Sequence, residues 1–393
     1  MRRPALLLAV TLAACGLGAA PATAQRDGSF PVTFANATDG RWKSSEIFVT
    51  GIGQTSPGQW AYLKTDGTMA PLDHTMAAEP GHLTKKGQDF ADMSFTLAEA
   101  STVRIPPRVE GGRLYVSVGE PMYIGISPDD KGWAGPNLRS KSDPNFDTVF
   151  DWYEFTYAHG QIPFGGNTTQ VDQFGLPMTS RLEQVSTGYD RRNGITLSRA
   201  QVMSRYADKV AKPFRSLMSD ERILAPRTAA SFEDGGPYGD YLDPAIDRAW
   251  RGWQDGFSLT RLNQTFTGKV TGGRLAFKQE GGDAGSIGKP SSADVFQCSG
   301  ALAKGGMSPV EGVMGAELCA AFNRGVSGDT GDWYRPSAYY DAKIDNDYAA
   351  FFHGINIGKR SYAFAYDDIN DQSSVAILPN ADPPSRLTIE IGW

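Results

Sequence analysis

Between Phe150 and Met178 the chain reads FDWYEFTYAHGQIPFGGNTTQVDQFGLPM, two runs rich in aromatic and β-branched residues around a Gly- and Pro-containing turn. No other stretch restricts the fold as tightly. Such residues favour a pleated, half-buried strand, and the span Ala158–Gly166 is short enough to join neighbouring antiparallel strands. Side chains alternate across a strand. In the first run Phe150, Trp152, Glu154 and Thr156 therefore share one face, opposite Asp151, Tyr153, Phe155 and Tyr157. In the second, Thr168, Gln170, Asp172 and Phe174 share a face, opposite Asn167, Thr169 and Val171. If the Glu154 face and the Asp172 face look to the same side, one sheet surface carries two carboxylates, hydroxyls, an amide and an indole.

The flanking sequence extends the β pattern. Short runs such as Phe30–Asn36, Glu46–Gly51, Trp60–Leu63, Ser101–Ile105 and Arg113–Val118 are punctuated by Gly, Pro, Asn and Asp, which indicates a sandwich or barrel. Around Tyr189 the pattern changes. Ser198 and Gln201 form a capping box, followed by Val202, Tyr206 and Val210 at helical spacing. Asp243-Pro244 opens a second helix with Ile246, Ala249, Trp250 and Trp253 on one stripe. Ser308-Pro309-Val310-Glu311 opens a third, and Gly325 stands where a C-cap glycine belongs. From about Tyr348 the sequence reads as β again, through Tyr362–Asp368, Ser374–Leu378 and Leu387–Ile391. The fold class expected is mainly β with an α+β part. A β domain of residues 26–185 and 346–393 holds an inserted mixed α/β domain, 186–345, with a wide groove between them as the binding site.

The N-terminus reads as an export signal: Met1-Arg2-Arg3, an apolar run Ala5–Ala14, then Ala22-Thr23-Ala24 as a cleavage site. That run is too short to span a bilayer, which takes about 20 residues. Leu12-Ala13-Ala14-Cys15 also resembles a lipobox, so lipid anchoring through Cys15 stands as the alternative to a freely secreted chain. With residues 1–24 removed, Cys298 and Cys319 remain, and export favours one disulfide between them over two free thiols. A net charge of −6 leaves no basic footprint for nucleic acid. The 4 histidines are scattered, and with two cysteines they make no zinc pattern. No metal or organic cofactor is implied, no membrane span is expected, and the chain is expected to be a monomer.

Glycoside hydrolysis typically uses two carboxyl groups, one protonated to serve the leaving oxygen and one acting as nucleophile or as base for water. Glu154, beside Trp152 and Tyr153, suits the acid, because aromatic surroundings disfavour a charged carboxylate. Asp172, beside polar Gln170 and Thr168, suits the base. Paired acids on a strand are also common as solvated residues, so residue chemistry alone leaves both readings open.

The stretch resembles glycoside hydrolase family 64, the β-1,3-glucanases with a thaumatin-like barrel. The motifs are Trp152-Tyr153-Glu154-Phe155-Thr156 and Asn167-Thr168-Thr169-Gln170-Val171-Asp172, joined by Asp240–Trp250, Cys319–Gly325 and Tyr362–Asp368. The resemblance implies an inverting β-1,3-glucan hydrolase with Glu154 as general acid and Asp172 as general base, and a pentasaccharide product. Trp152, Thr156, Asn167, Thr168 and Gln170 are then the expected sugar contacts, with laminarin, curdlan or cell-wall glucan as substrate.

Other residues have both a chemical and a packing reading. Asp367 and Asp368 suit a groove floor or a turn; Trp333-Tyr334 and Tyr339-Tyr340 suit sugar stacking or packing; His353, after Phe351-Phe352, suits packing. The competing function is a non-catalytic thaumatin-like glucan-binding protein, against which both acids speak. A jelly-roll glucanase lacks its E-x-D-x-x-E strand here, and no H-E-x-x-H or G-x-S-x-G marks a protease.

Overall fold

Phe30, Val32 and Phe34 alternate with less buried neighbours along Phe30–Ala37, and Leu387, Ile389 and Ile391 do so along Arg386–Gly392. These strands pair in parallel, with Val32 opposite Leu387, so the two ends of the described chain meet in one sheet. The computed structural model describes residues 27–261, 263–282 and 284–393. The expected export signal, its expected cleavage site and Cys15 lie outside the described residues.

The first sheet has five strands, in the order Tyr189–Gly194, Met178–Gln184, Arg386–Gly392, Phe30–Ala37, Thr102–Ile105. The second has eight. Seven run in the order Ala376–Ile377, Ile162–Thr168, Val149–Ala158, Arg108–Val118, Ile47–Ser56, Gln59–Leu63, Met69–Pro71, and Ser94–Thr96 adds to Ile47–Ser56. Their inner faces share one core: Phe30, Val32, Leu387 and Ile389 from the first sheet meet Val116, Tyr153, Phe155 and Tyr157 from the second. Apolar area removed from water, worth roughly 25 cal/mol per Å², is thus buried between facing sheets. Among the described residues both sheets end on unjoined edge strands. The β part is an open sandwich, which corrects the barrel alternative: facing sheets bury their inner residues without closing.

The expected capping boxes are present. Ser198 and Gln201 cap Arg199–Lys209, and Ser308 and Glu311 cap Pro309–Asn323. Asp243–Gly252 turns Ile246, Ala249 and Trp250 inward. These helices and a four-stranded antiparallel sheet, Phe257–Arg261 through Ala284–Gly288, form a second buried cluster. One expected β segment is a helix instead. Asn346 caps Asp347–Ile355 by accepting from the Ala349 N–H, and Tyr348, Phe351 and Phe352, spaced for one helical face, pack into the helical cluster. Tyr362–Asp368 is irregular and turned rather than extended; Tyr366 sits at φ 66°, outside the extended region. Ala363, Phe364 and Ile369 also pack with the helices.

Cys298 and Cys319 are bridged, at a sequence separation of 21. The bridge ties the helix Pro309–Asn323 to the end of Ser292–Gln297. A closed loop of this length is worth roughly 3 kcal/mol in the chain-entropy account. Replacing both cysteines by Ala is expected to lower the unfolding free energy by about that amount, read as a lower denaturant midpoint. An unchanged midpoint would show that the helical cluster holds the loop closed without the bridge. Among the described residues no helix is long and apolar enough to cross a membrane.

Candidate active site

The outward face of the larger sheet carries Glu154. Strand register aligns Ile52, Arg113, Glu154 and Asn167 in one row across four strands. In the next row Tyr115 lies opposite Trp152. The Trp152 indole Nε1 donates to Glu154 Oε1 at 3.0 Å, and Arg113 Nε lies 3.2 Å from the same oxygen. The Arg113 guanidinium also sits 5.6 Å from the Trp133 ring centroid and donates to the Tyr115 hydroxyl at 3.4 Å. Burial pushes the Tyr115 hydroxyl up to about 12, so it stays neutral in this row.

Above Glu154 opens a cavity of about 780 Å³. Gly111, Gly112, Gly165 and Gly166 contribute to its lining beside Thr156, Trp60 and Trp133 bound it, and Tyr362 and Asp368 reach it from the C-terminal segment. A smaller cavity of about 200 Å³ is lined by Arg113, Tyr115, Trp152, Asp172 and Thr228. Arg113 and Gly135 border both spaces. Glu154 and Asp172 thus occupy adjoining spaces with one cationic side chain common to both.

Asp172 arrives by a different route from the one alternation suggests. The strand Ile162–Thr168 ends before it, and the chain departs toward the C-terminal segment, where the Gln170 N–H bonds the Tyr362 carbonyl. The Asp172 carbonyl then accepts from the Ala225 N–H and the Thr228 hydroxyl. Its carboxylate lies 3.4 Å from Arg227 Nε. A loop, steadied by the segment around Ala225–Thr228, presents the second acid. Of the expected inserted domain, Thr228 lines the smaller cavity and none of its described residues lines the larger one.

The expected sugar contacts divide accordingly. Asn167 is the cross-strand neighbour of Glu154 and lines the large cavity, with its amide oxygen unpaired among the described residues. Thr156 lines the same cavity and accepts from the Gly111 N–H. Thr168 pairs with Tyr153, on the opposite face from Glu154, and is buried. Gln170 is buried too: its side chain accepts from Ser361 and its carbonyl from the Tyr348 hydroxyl. Alternation failed for these two because antiparallel register sets Asn167 opposite Glu154 and the strand stops at Thr168. Trp152 is only 4% exposed, its ring between Phe150 and Tyr115 and its N–H committed to Glu154. It orients the acid, and Trp60 and Trp133 are the rings that border the cavity.

Asp368 lines the cavity, whereas Asp367 is fully buried between Arg324 and His353. His353 is a packed histidine, bonded to the Lys359 carbonyl and to Asp367. Trp333 packs in the helical cluster, and Tyr339 lies against the Arg324 guanidinium. Arg113, Arg227, Thr228 and Trp133 were not singled out from sequence. Only Arg113 left a signal, since Arg113, Tyr115 and Ser117 alternate on one face of their strand. The one grouping with metal-ligand chemistry among the described residues, Asp73, His74 and Asp130, is on the surface, and His74 Nδ1 already bonds Asp130.

A family model described as Beta-1,3-glucanase matches residues 28–391. A glucan endo-1,3-beta-glucosidase of an Arthrobacter species is 25% identical over 385 residues, covering 94% of this chain and 66% of the relative. The chain thus spans just under two thirds of that relative's length. Among solved structures, a beta-1,3-glucanase domain from Clostridium beijerinckii superposes with a TM-score of 0.86 at 30% identity, covering 93% of this chain and 98% of that one. A laminaripentaose-producing beta-1,3-glucanase from Paenibacillus barengoltzii, solved with laminarihexaose, superposes with a TM-score of 0.75 at 29% identity, covering 94% of this chain and 76% of that one. The chain belongs to glycoside hydrolase family 64, the β-1,3-glucanases.

Proposed function

We propose that this chain hydrolyses β-1,3-glucan with inversion at the anomeric carbon, Glu154 acting as general acid and Asp172 as general base. The observation that carries the reading is the placement of two carboxylates in adjoining spaces around Arg113, beside a cavity bounded by Trp60 and Trp133. Both donors to Glu154 act on Oε1, which leaves Oε2 to hold the proton delivered to the leaving oxygen. Asp172, with Arg227 beside it and Thr228 on its carbonyl, sits in the polar setting that a base for water requires. Inversion needs the two carboxyl groups about 6.5–9.5 Å apart, so that one water fits between sugar and base. Asn167, Thr156 and Asp368 offer polar partners for sugar hydroxyls, and Trp60 and Trp133 offer apolar ring faces.

The laminaripentaose-producing relative supports a short oligosaccharide, such as the pentasaccharide, as product. The thaumatin-like description and the division into residues 26–185 with 346–393 and an inserted 186–345 belong to the same reading. Residues 347–369, which pack with the helices, form the junction between the parts. Export as a soluble monomer completes the proposal. Its test is laminarin hydrolysis followed by proton NMR and product sizing. The α anomer should appear first and the pentasaccharide should dominate; a β anomer appearing first overturns inversion, and binding to curdlan without new reducing ends overturns hydrolysis.

A further inference from the structure

The two acids sit on different kinds of support. Glu154 is on a strand, and Asp172 is on a loop that leaves the sheet after Thr168. An acid–base pair must be held to within about 0.5 Å of its working geometry, so something must lock that loop to that strand. Two buried side chains make the connection. Asp151, 1% exposed, accepts from its neighbour's N–H (Trp152, 3.0 Å) through one oxygen and from the Gly175 and Leu176 N–H groups through the other, at 2.9 and 3.4 Å. Gln173, fully buried, donates to the Phe150 carbonyl at 2.7 Å. The approach is so close that a Cβ on Gly175 would lie 2.0 Å from the Phe150 carbonyl oxygen, so only glycine fits there.

We propose that Asp151 is a positioning residue, which clamps the loop carrying Asp172 to the strand carrying Glu154 and acts on catalysis through Asp172. The inference rests on the acid–base reading above. A carboxylate suits the task because it only accepts, and three backbone N–H groups converge on it. Keeping it buried is costly: burial pushes its carboxyl up to about 7 even though the three N–H bonds and nearby Arg222 pull the other way. Arg222, itself buried, donates to the Thr148 carbonyl and lies over the Phe150 ring, so it anchors the start of the same strand.

The test is a cycle of kinetic measurements on laminarin. Asp151→Ala in the wild-type background should lower kcat by about 10²-fold, the cost of roughly 1 Å of misplacement, with KM changed less than about twofold. Asp151→Asn, which keeps one oxygen for the Gly175 and Leu176 N–H groups, should recover most of that loss. In an Asp172→Asn background, Asp151→Ala should change residual turnover less than about twofold, because the group it positions is already disabled. An equal loss in both backgrounds, or a loss in KM alone, overturns the proposal. If Asp151→Ala does not fold, Gln173→Met removes the other clamp and is judged by the same comparison. The underlying reading is tested separately by Asp172→Asn alone: wild-type turnover in that variant sinks the base assignment.

Discussion

Glu154→Gln and Asp172→Asn are each expected to lower kcat on laminarin by about 10²–10⁴-fold, the usual range for a group that moves a proton in the transition state. Neither substitution changes side-chain size much. In Glu154→Gln the new amide oxygen can still accept from Trp152 Nε1, and in Asp172→Asn the backbone carbonyl keeps its bonds to Ala225 and Thr228. What each variant loses is the capacity to give or take a proton. KM should therefore stay within a few-fold, since cavity-lining side chains such as Asn167 and Trp133 are untouched. Effects of residues that act as a unit are not additive, so the double variant should be little worse than the poorer single one. Turnover above a tenth of wild type in either single variant would remove that residue from the mechanism. Thermal melts accompany the kinetics, because Glu154 Oε1 also lies 3.2 Å from the part-buried Arg113 Nε.

How far the site was legible follows from how each residue is placed. Trp152-x-Glu154-x-Thr156 lies on a continuous strand, where alternation is enforced by the pleat, so a common face was readable from spacing. The second run keeps its pleat only to Thr168, and beyond it the chain follows hydrogen bonds to Tyr362 and Ala225. Those partners are distant in sequence, and no local pattern announces them. Asn167 rather than Thr168 faces Glu154 because strand register decides it, and register depends on a turn whose length alone does not fix pairing. The helices with capping boxes were readable because their ends are local chemistry. Asp347–Ile355 was not: its aromatic run reads equally as a strand, and only packing against the helical cluster decides for helix. Arg113 shows the remaining gap. A strand arginine is ordinarily solvated, and its role appears only once Glu154 and Trp133 are seen beside it.

Asp367→Asn is expected to cost about 3–5 kcal/mol of stability, the usual consequence of removing one partner of a buried ion pair. Asp367 is fully buried, and one oxygen accepts from Arg324 while the other accepts from His353 and the Ala363 N–H. Arg324 is fully buried as well, and its remaining bonds go to the carbonyls of Asp367 and Ile369. With Asp367 neutral, a guanidinium is left in the core without a counter-charge. The same network has a pH signature. Burial by itself raises Asp367, but His353 and Arg324 hold its carboxyl below the usual range. Burial lowers His353, but Asp367 and the Lys359 carbonyl together more than offset this, so the imidazole is raised above its usual 6.5. A raised histidine contributes stability that is fully present below pH 6.5 and is lost as pH rises through the folded value. Buried Asp151 and Asp345, both pushed up to about 7 chiefly by burial, slope stability in the same direction. The wild-type Tm should therefore fall as pH rises from 6 toward 9, and the gap between wild type and Asp367→Asn should narrow over that range as His353 loses its proton. Because Tyr362 and Asp368 reach the cavity from this segment, the variant should also raise KM more than it lowers kcat. A Tm gap that is small, or constant across that pH range, would show that Arg324 and His353 find other partners and that the network does not hold the segment.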